Sequence, residues 1–482
     1  MTTYIIRRVL LMIPTFFAVS LVVFCIINIA PGRPGQQAAQ DGTEEATGSK
    51  REAYRIFKSQ FNLDKPILFN TRFLISKGEV LEALEKSINK DRKYKPSEQM
   101  EAVEWIEDCG EYVVPHLLTI AKETKDETYR YQAIQKLSEN AQRKVIFVYG
   151  QKPSEETRAY NRAVNKENRE LKKRVYEREA ETAQREKVVS RWVTWFESVK
   201  AKRYSLSFGQ CIWRFFFETR FATYWWKLLH LDFGISHIDK RPVLEKLLGK
   251  VKYSLTLAVP SLIIAYIIAV PLGVLSAVKR NSMTDKIMSV VLFMLYSLPS
   301  FFVGTMLLVS FSKGSDFQWT QWFPTGGWQS PNFHQLTTIG KIKDVAWHLV
   351  LPMTCMTYGS FAALSRYART GLLEVINADY IRTARAKGVS EKMVILKHAV
   401  RNGMIPVITL LGTVLPILIG GSVIIEVIFS IPGMGLMTYD AILNRDYNVI
   451  MAVQLISAVL VMAGVLLADI LYAVVDPRIS HS

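Results

Sequence analysis

Residues 379–406 read DYIRTARAKGVSEKMVILKHAVRNGMIP, a stretch with six Lys or Arg between two long apolar runs. Gly388 divides it into two short helices, because glycine suits the left-handed position that follows the end of a helix. Asn377 or Asp379 can cap the first helix, and Ser390 can cap the second. The pattern predicts a compact, cationic two-helix hook beside a membrane.

One side of the first helix of this hook carries small residues. Ala384 and Gly388 are four residues apart and therefore lie on the same side. Small residues at such positions permit close approach of a partner's backbone. The alternative is that the basic residues here, with Arg366 and Arg369, only anchor the spans at an anionic membrane surface.

The apolar runs around the hook define the fold class. Each is uncharged and long enough for roughly 20 residues to cross about 30 Å of hydrocarbon as a helix. A charged segment of more than two hundred residues, 33–250, separates the first run from the others. The sequence therefore predicts an all-α membrane protein with six spans, at residues 9–32, 253–278, 287–312, 345–365, 402–425 and 447–468.

The positive charges predict the orientation. The chain has a formal net charge of +17, and its short loops are rich in Lys and Arg before the first run, within 279–286 and within 379–406. Lys and Arg in short loops mark the cytoplasmic side, whereas a long translocated segment largely escapes this rule. Both termini are therefore expected in the cytoplasm, with no nucleic acid as partner, and three segments face outward: 33–250, 313–344 and 426–446.

The charged outer segment contains a candidate helical domain. Residues 98–145 alternate apolar and polar positions at helical spacing, and 153–200 suit one long solvated helix. Cys109 and Cys211 lie in this segment, where they either pair or remain two free thiols. The expected core positions are Val103, Ile106, Val114, Leu117, Leu118 and Ile120, followed by Tyr131, Ala133, Ile134 and Leu137.

The end of this segment changes character. Residues 213–234 read WRFFFETRFATYWWKLLHLDFG, which is aromatic and amphipathic. Trp and Tyr favour the membrane interface, so this stretch can lie there. The pattern is equally compatible with an aromatic core beneath the outer domain.

Several motifs now match one family. The chain resembles the membrane permease subunits of ATP-binding-cassette (ABC) importers, in the dipeptide and oligopeptide branch. The resemblance rests on the opening run, FNLDKPI (61–67), LDFGISHIDKRPV (231–243), residues 348–412, GSVIIEVIFSIPGMG (421–435), NRDY (444–447) and DILYAVVDPRI (469–479).

The resemblance implies an architecture. The expected fold is the six-helix type I ABC importer permease, with a first transmembrane helix at 1–32 and a five-helix permease core at 251–482. The core includes a cytoplasmic coupling loop at about 366–402. Relatives join the LDKP segment almost directly to the aromatic stretch, so residues 70–218 are an α-helical insertion into the extracytoplasmic region.

The resemblance also implies the role of the hook. In these importers the loop docks on the ATPase subunit and couples nucleotide-driven closure to the spans. The family's Glu-Ala-Ala signature falls here on Arg382, Thr383 and Ala384, so that the Glu position is Arg. The candidate coupling residues are Asp379, Tyr380, Arg382, Thr383, Ala384, Arg385, Ala386, Gly388 and Ser390.

Other positions are candidates for the translocation pathway. Prolines inside spans break ideal helices, which transporters use to line a path, although ordinary kinked packing is an equal alternative. WFPTGGW (322–328) is either a contact for a binding protein or a packed loop. The span prolines are Pro260, Pro271, Pro299, Pro352 and Pro416, and the candidate pathway or outer-gate residues are Pro299, Glu426, Phe429, Pro432 and Gly433.

The predicted function is transport without catalysis by this chain. The sequence has no Gly-x4-Gly-Lys-Ser/Thr motif, and neither a metal site nor a cofactor is expected. The implied partners are a second related permease, two cytoplasmic ATP-binding subunits, an extracytoplasmic substrate-binding protein and membrane lipid, in a bacterial inner membrane. The alternatives are an ion-coupled secondary transporter, which usually needs charges deep in its spans, and a membrane-tethered receptor or scaffold acting through residues 70–218.

Overall fold

The computed structural model describes residues 2–29, 54–55, 57–148, 152–313, 320–404, 406–407, 410 and 422–475. Within these residues the regular structure is entirely helical, which confirms the predicted fold class. The chain forms two compact units, Met1–Pro34 with Phe233–Ser482, and Gly35–Asp232.

The first helix of the chain is α1 (Thr2–Ile29), which belongs to the first unit. The long helices that follow, α2 to α9, belong to the second unit. Serine caps begin several of them: Ser76 accepts from the Glu79 amide and Glu79 bonds back, which satisfies two otherwise free amides. The helices are α2 (Lys77–Ile88), α3 (Pro96–Cys109), α4 (Val114–Glu123), α5 (Glu127–Asn140), α6 (Glu155–Lys172), α7 (Thr182–Arg203), α8 (Phe208–Phe217) and α9 (Arg220–Leu229).

One apolar cluster holds α2 to α7 together. The expected core positions of residues 98–145 are buried, apart from the half-buried Tyr131, so that part of the prediction is confirmed. Trp192 is the largest fully buried side chain of the cluster, and its indole donates to the Arg174 carbonyl at 2.7 Å. The cluster and the side chains packed on it lie between Ile75 and Tyr204.

The prediction of one long solvated helix over 153–200 is wrong. The segment is broken between Lys172 and Thr182 into α6 and α7. The break lets Tyr176 turn into the cluster, where burying its ring offsets the interrupted helix. The charge-dense sequence concealed five buried side chains of the core: Val164, Leu171, Tyr176, Val188 and Trp192.

The cysteines are unpaired. All four thiols are free, so Cys109 and Cys211 do not form the disulfide that the sequence left open. Burial raises the pKa of the Cys109 thiol to about 12. Since the thiolate is the reactive species, Cys109 is expected to be inert towards thiol reagents at neutral pH.

The first unit continues with the helices of the membrane region. In chain order they are α10 (Val243–Val278), α11 (Met283–Ser297), α12 (Ser300–Phe311), α13 (Thr338–Val375), α14 (Asp379–Ala386), α15 (Glu391–Met393), α16 (Val400–Gly403), α17 (Val423–Ile428), α18 (Met434–Leu443) and α19 (Tyr447–Val475). A π-helical turn, Val394–Ala399, joins α15 to α16.

Among the described residues, three helices are long and apolar enough to cross a membrane, or four if the bent pair α11–α12 counts as one span. The three are Ile5–Ile29, Val243–Val278 and Tyr447–Leu467. The predicted span at 345–365 lies inside the 38-residue α13. Most of the predicted span at 402–425 falls outside the described residues.

The prolines act differently from one another. α11 and α12 meet at 90° around Leu298 and Pro299. The proline ring disfavours the helical conformation of the residue before it, so Leu298 adopts extended backbone and ends α11. Pro260 and Pro271 lie inside α10, which continues through both. Pro352 likewise lies within α13, and Pro416 is outside the described residues.

Two long helices of the first unit, α10 and α13, pack closely against each other. A Cβ atom on Gly273 would lie 2.5 Å from the Ser365 carbonyl oxygen and 2.6 Å from the Ala368 Cβ. The Ser365 hydroxyl donates to the Ala269 carbonyl at 3.0 Å. Small residues therefore bring these two long helices into backbone contact, as is usual within membranes.

Candidate functional site

The hook, defined as residues 379–403, is closed by a glycine turn as predicted. Gly388 has φ +75°, the Gly388 amide donates to the Arg385 carbonyl at 2.9 Å and the Val389 amide donates to the Ala384 carbonyl. These two bonds form a Schellman motif, which satisfies the last carbonyls of α14. The left-handed conformation predicted for Gly388 is confirmed.

The predicted helix caps are only partly present. Ala378, rather than Asn377 or Asp379, occupies the cap position of α14, and no side chain bonds there. Asp379 is the first helical residue, where its charge favours the positive end of the helix dipole. Ser390 does precede α15, but its carbonyl rather than its hydroxyl accepts from the Met393 and Val394 amides.

Two polar contacts lock the arms of the hook together. Arg385 donates twice to the Glu391 carboxylate, at 3.1 and 2.7 Å, and this hydrogen-bonded arginine lowers the pKa of Glu391. The Asn402 amide donates to the Tyr380 hydroxyl at 3.0 Å. A bidentate arginine fork fixes orientation as well as distance, so the hook is a defined shape rather than a loose loop.

The inner side of the hook packs on the ends of two long helices. Ile381, Val394 and Ala399 are buried against Ala277 of α10 and Leu372 of α13. This apolar cluster fixes the hook to the spans.

Ala384 is half-buried against the same cluster. It therefore packs partly inward while Gly388 is exposed, and a small-residue face that meets a partner stays a prediction. The other candidate coupling residues are exposed: Asp379, Tyr380, Arg382, Thr383, Arg385, Ala386, Gly388 and Ser390.

The sequence reading missed part of the exposed face. Met393 and Leu396 are apolar side chains directed outward, with Leu396 65% exposed. They lie among six Lys or Arg and only two acidic residues in the hook. Exposed apolar side chains in a cationic surface are typical of a docking site. Their position three residues apart was the available signal.

Two glycines join the second arm of the hook to α13. A Cβ atom on Gly371 would lie 2.1 Å from the Gly403 carbonyl oxygen. No side chain fits in that space, so α13 and α16 meet backbone to backbone.

Replacing Gly371 by Ala is expected to destabilise the protein. The added methyl group overpacks a backbone contact, which costs about 1–3 kcal/mol. Gly249→Ala in α10 is the matched control, because a Cβ atom there meets nothing within 4 Å and alanine favours a helix. Thermal unfolding of the detergent-solubilised proteins should show a lower midpoint for Gly371→Ala than for the unaltered chain. The midpoint of Gly249→Ala should not be lowered. Equal midpoints would contradict the close crossing.

Beside the hook, a buried carboxylate connects three helix ends. Asp285 of α11 accepts from the Ser276 hydroxyl of α10, from the Asn281 amide at 3.0 Å and from Arg369 of α13 at 3.0 Å. Arg369 is therefore paired within the protein, and the expectation that it only anchors the spans to lipid is wrong. Arg366 is exposed and remains compatible with that role.

A second buried carboxylate organises the candidate gate residues. Glu426 of α17 is fully buried and accepts from the Ser254 hydroxyl at 2.8 Å and from the Leu436 amide at 3.0 Å. A Cβ atom on Gly433 would lie 2.5 Å from the Glu426 Oε2 atom. A side chain at position 433 would therefore displace the Glu426 carboxylate or the Ser254 hydroxyl from their present positions.

The remaining gate candidates surround this turn. Phe429 is buried, and its carbonyl accepts from the Gly327 amide at 2.8 Å, so the loop 322–328 is packed on the turn. Trp328 stacks edge-on against Tyr253 at 4.7 Å. Pro432 is half-buried within the turn.

Pro299 is not among these contacts. It lies at the start of α12, whereas residues further along that helix approach Phe429: a Cβ atom on Gly304 would be 3.5 Å from the Phe429 ring. The structure thus brings together Glu426, Phe429, Pro432 and Gly433, while Pro299 belongs to the bend.

Two of the quoted motifs contact each other, which the sequence did not indicate. Asp446 of NRDY is fully buried and accepts from the Ser236 hydroxyl and, at 3.1 Å, from the His237 amide. Burial lowers the pKa of the His237 imidazole to about 4. The loop 231–243 is thereby fixed to the start of α19.

Known proteins resemble this chain in sequence. Residues 269–481 match the family described as the inner membrane component of binding-protein-dependent transport systems. The chain is 44% identical over 251 residues to the oligopeptide transport system permease protein AppB of Bacillus subtilis, covering 52% of this chain and 76% of that protein. It is 36% identical over 278 residues to the dipeptide transport system permease protein DppB of Escherichia coli K12, covering 54% and 80%.

A further relative is the peptidoglycan transport system permease protein YejB of Agrobacterium fabrum, 37% identical over 262 residues, covering 54% of this chain and 71% of that protein. Among solved structures, the chain is similar to the MetNI methionine ABC transporter in an inward-facing conformation, with a TM-score of 0.38, 18% identity, and coverage of 48% of this chain and 96% of that chain. The chain belongs to the family of inner membrane components of binding-protein-dependent transport systems.

Proposed function

We propose that this chain is the permease subunit of an ABC importer and forms half of a translocation pathway for peptides or similar small solutes. Family membership supports the class of transporter. The names of the relatives, which are oligopeptide, dipeptide and peptidoglycan permeases, support the cargo. The partners are a second permease, two ATP-binding subunits that hydrolyse ATP, and a substrate-binding protein.

The observation that carries the mechanism is the geometry of the hook. Its inner side is fixed to α10 and α13, while Tyr380, Met393 and Leu396 are exposed among basic residues. A surface with these properties can bind a groove on an ATP-binding subunit. Closure of that subunit then displaces the hook, and the Gly371–Gly403 contact moves α13 with it.

The buried Glu426 supports a role for the opposite end of the pathway. Its carboxylate joins α10, through Ser254, to the turn 429–435. A turn held by buried hydrogen bonds has few alternative arrangements, which is a property of a gate with discrete states. We place the outer gate at Glu426, Phe429, Pro432 and Gly433.

The orientation of the chain follows from this proposal and is tested by thiol labelling. Cysteines at Ser154 and Thr325 should react with an impermeant reagent on intact spheroplasts, and a cysteine at Ser390 should react only after permeabilisation. All three positions are exposed, so accessibility reports the side of the membrane. Cys25 and Cys211, both half-buried, are first replaced by serine. Labelling of position 390 from outside would overturn the orientation and the proposed contact with the ATPase.

A further inference from the structure

Helix α8 of the second unit presents an uncovered aromatic surface. Phe208, Ile212, Trp213, Phe216 and Phe217 lie on one side of the helix and are exposed, with Phe208 83% and Trp213 60% exposed. We call these five residues the aromatic face. None of the residues of α8 is buried. The aromatic-core alternative for this helix is therefore wrong.

The opposite side of α8 is firmly attached to its own unit. Arg214 donates to the Glu111 carboxylate at 2.8 Å and to the Tyr112 hydroxyl at 3.1 Å. Phe215 stacks on Phe69 with ring centroids 5.1 Å apart. Because these contacts fix the orientation of the helix, they hold the aromatic face on its outer side.

The composition of this region suits a lipid surface. Residues 205–217 contain one arginine and no acidic residue, so no negative charge in this stretch repels anionic headgroups. Two carboxylates next to the helix are both engaged: Glu111 accepts from Arg214, and Glu218 accepts from Tyr112 and Asn70. Five large apolar side chains on one helix exceed the scattered exposure of ordinary soluble surfaces, and an amphipathic aromatic helix binds within the headgroup region.

A bilayer is also within reach of the chain. Only the ten-residue α9 and the loop 230–242 separate α8 from α10, which is long and apolar enough to cross a membrane. Thirteen extended residues reach at most about 45 Å. The loop is shortened further because Ser236 and His237 are bound to Asp446 at the start of α19. The chain itself thus keeps α8 within reach of a membrane, whereas nothing in the chain keeps a second copy or another protein within reach.

We propose that the aromatic face of α8 lies in the headgroup region of the membrane surface that adjoins the spans. The inserted unit is then held against the bilayer at a second point besides its chain connections. The interaction depends on lipid, and neither the ATP-binding subunits nor a transported solute takes part in it.

Site-directed spin labelling of the full chain in vesicles of phosphatidylethanolamine and phosphatidylglycerol tests this inference. Labels are placed at Trp213→Cys and, separately, at Phe208→Cys, in a background in which Cys25 and Cys211 are serine. Ser190→Cys on α7, exposed and in the same unit, is the matched control. Both labels on α8 should show a several-fold higher ratio of oxygen to nickel-chelate accessibility than the control.

Other outcomes would overturn the inference. Equal ratios at positions 208, 213 and 190 would place the aromatic face in water. Shielding from both probes with dipolar broadening would indicate a second copy of the chain. Shielding that appears only after the substrate-binding protein is added would assign the face to that protein.

Discussion

A protein in which Phe69 is joined to Thr219 through a short flexible linker, without residues 70–218, is expected to insert into the membrane and to co-purify with the ATP-binding subunit. The junction is already close: the Arg220 amide donates to the Pro66 carbonyl at 2.8 Å, and the Asn70 amide donates to the Phe215 carbonyl at 2.9 Å. Insertions are tolerated where their ends meet in this way.

The removed segment contains the whole of its own apolar core. The cluster from Ile75 to Tyr204 lies entirely within it, so the deletion removes this core completely and leaves none of its residues exposed. Lys58 loses its partner Asp108, 2.5 Å away, but it loses the covering domain at the same time and becomes hydrated. Solute uptake is expected to fall because capture or delivery outside the spans is impaired.

Membrane fractionation, pull-down with the ATP-binding subunit and an uptake assay separate the possible results of this deletion. A matched control is the same junction with the natural segment restored between two identical linkers, which should recover uptake. Failure of the shortened chain to insert, or loss of the ATP-binding subunit, would show that residues 70–218 are part of the core scaffold.

Gly388→Val is expected to abolish uptake while the folded protein remains in the membrane. A β-branched residue at φ +75° is strained by roughly 1–2 kcal/mol, less than the usual stability of a domain. A Cβ atom at this position meets nothing within 4 Å in the chain itself. The loss must therefore arise from the altered turn and from the surface presented to a partner.

Two controls separate backbone strain from the altered surface of the hook. Gly110→Val introduces the same side chain at another positive φ, +54°, also with nothing within 4 Å, but in the inserted unit, and should leave uptake nearly unchanged. Gly388→Asn keeps a residue that tolerates the left-handed conformation, so it should retain part of the uptake. Equal loss in Gly110→Val and Gly388→Val would show that strain alone is responsible.

The glycine turn of the hook and the spans predicted at 9–32, 253–278 and 447–468 were predictable because local rules determine them. Apolar runs of about 20 residues, a glycine at the end of a helix and apolar periodicity within 98–145 each have one physical solution. Burial of Ile381 was not predictable, because it depends on where α10 and α13 end relative to the hook.

The failures of prediction share a cause, which is tertiary contact between distant residues. Arg369 pairs with Asp285, 84 residues away, and Asp446 bonds Ser236, 210 residues away. The helix predicted over 153–200 breaks because Tyr176 enters a core built mainly from other segments. Charge patterns in one segment carry no information about such partners.

The central claim, that the hook transmits the action of the ATP-binding subunit, is tested most directly by solute-stimulated ATP hydrolysis. The assay uses complexes reconstituted with the unaltered chain, Gly388→Val and Gly110→Val, each with its substrate-binding protein. Stimulation should be lost in the Gly388→Val complex and kept in the other two. Normal stimulation together with normal uptake in the Gly388→Val complex would contradict the claim, because a distorted hook would then still couple.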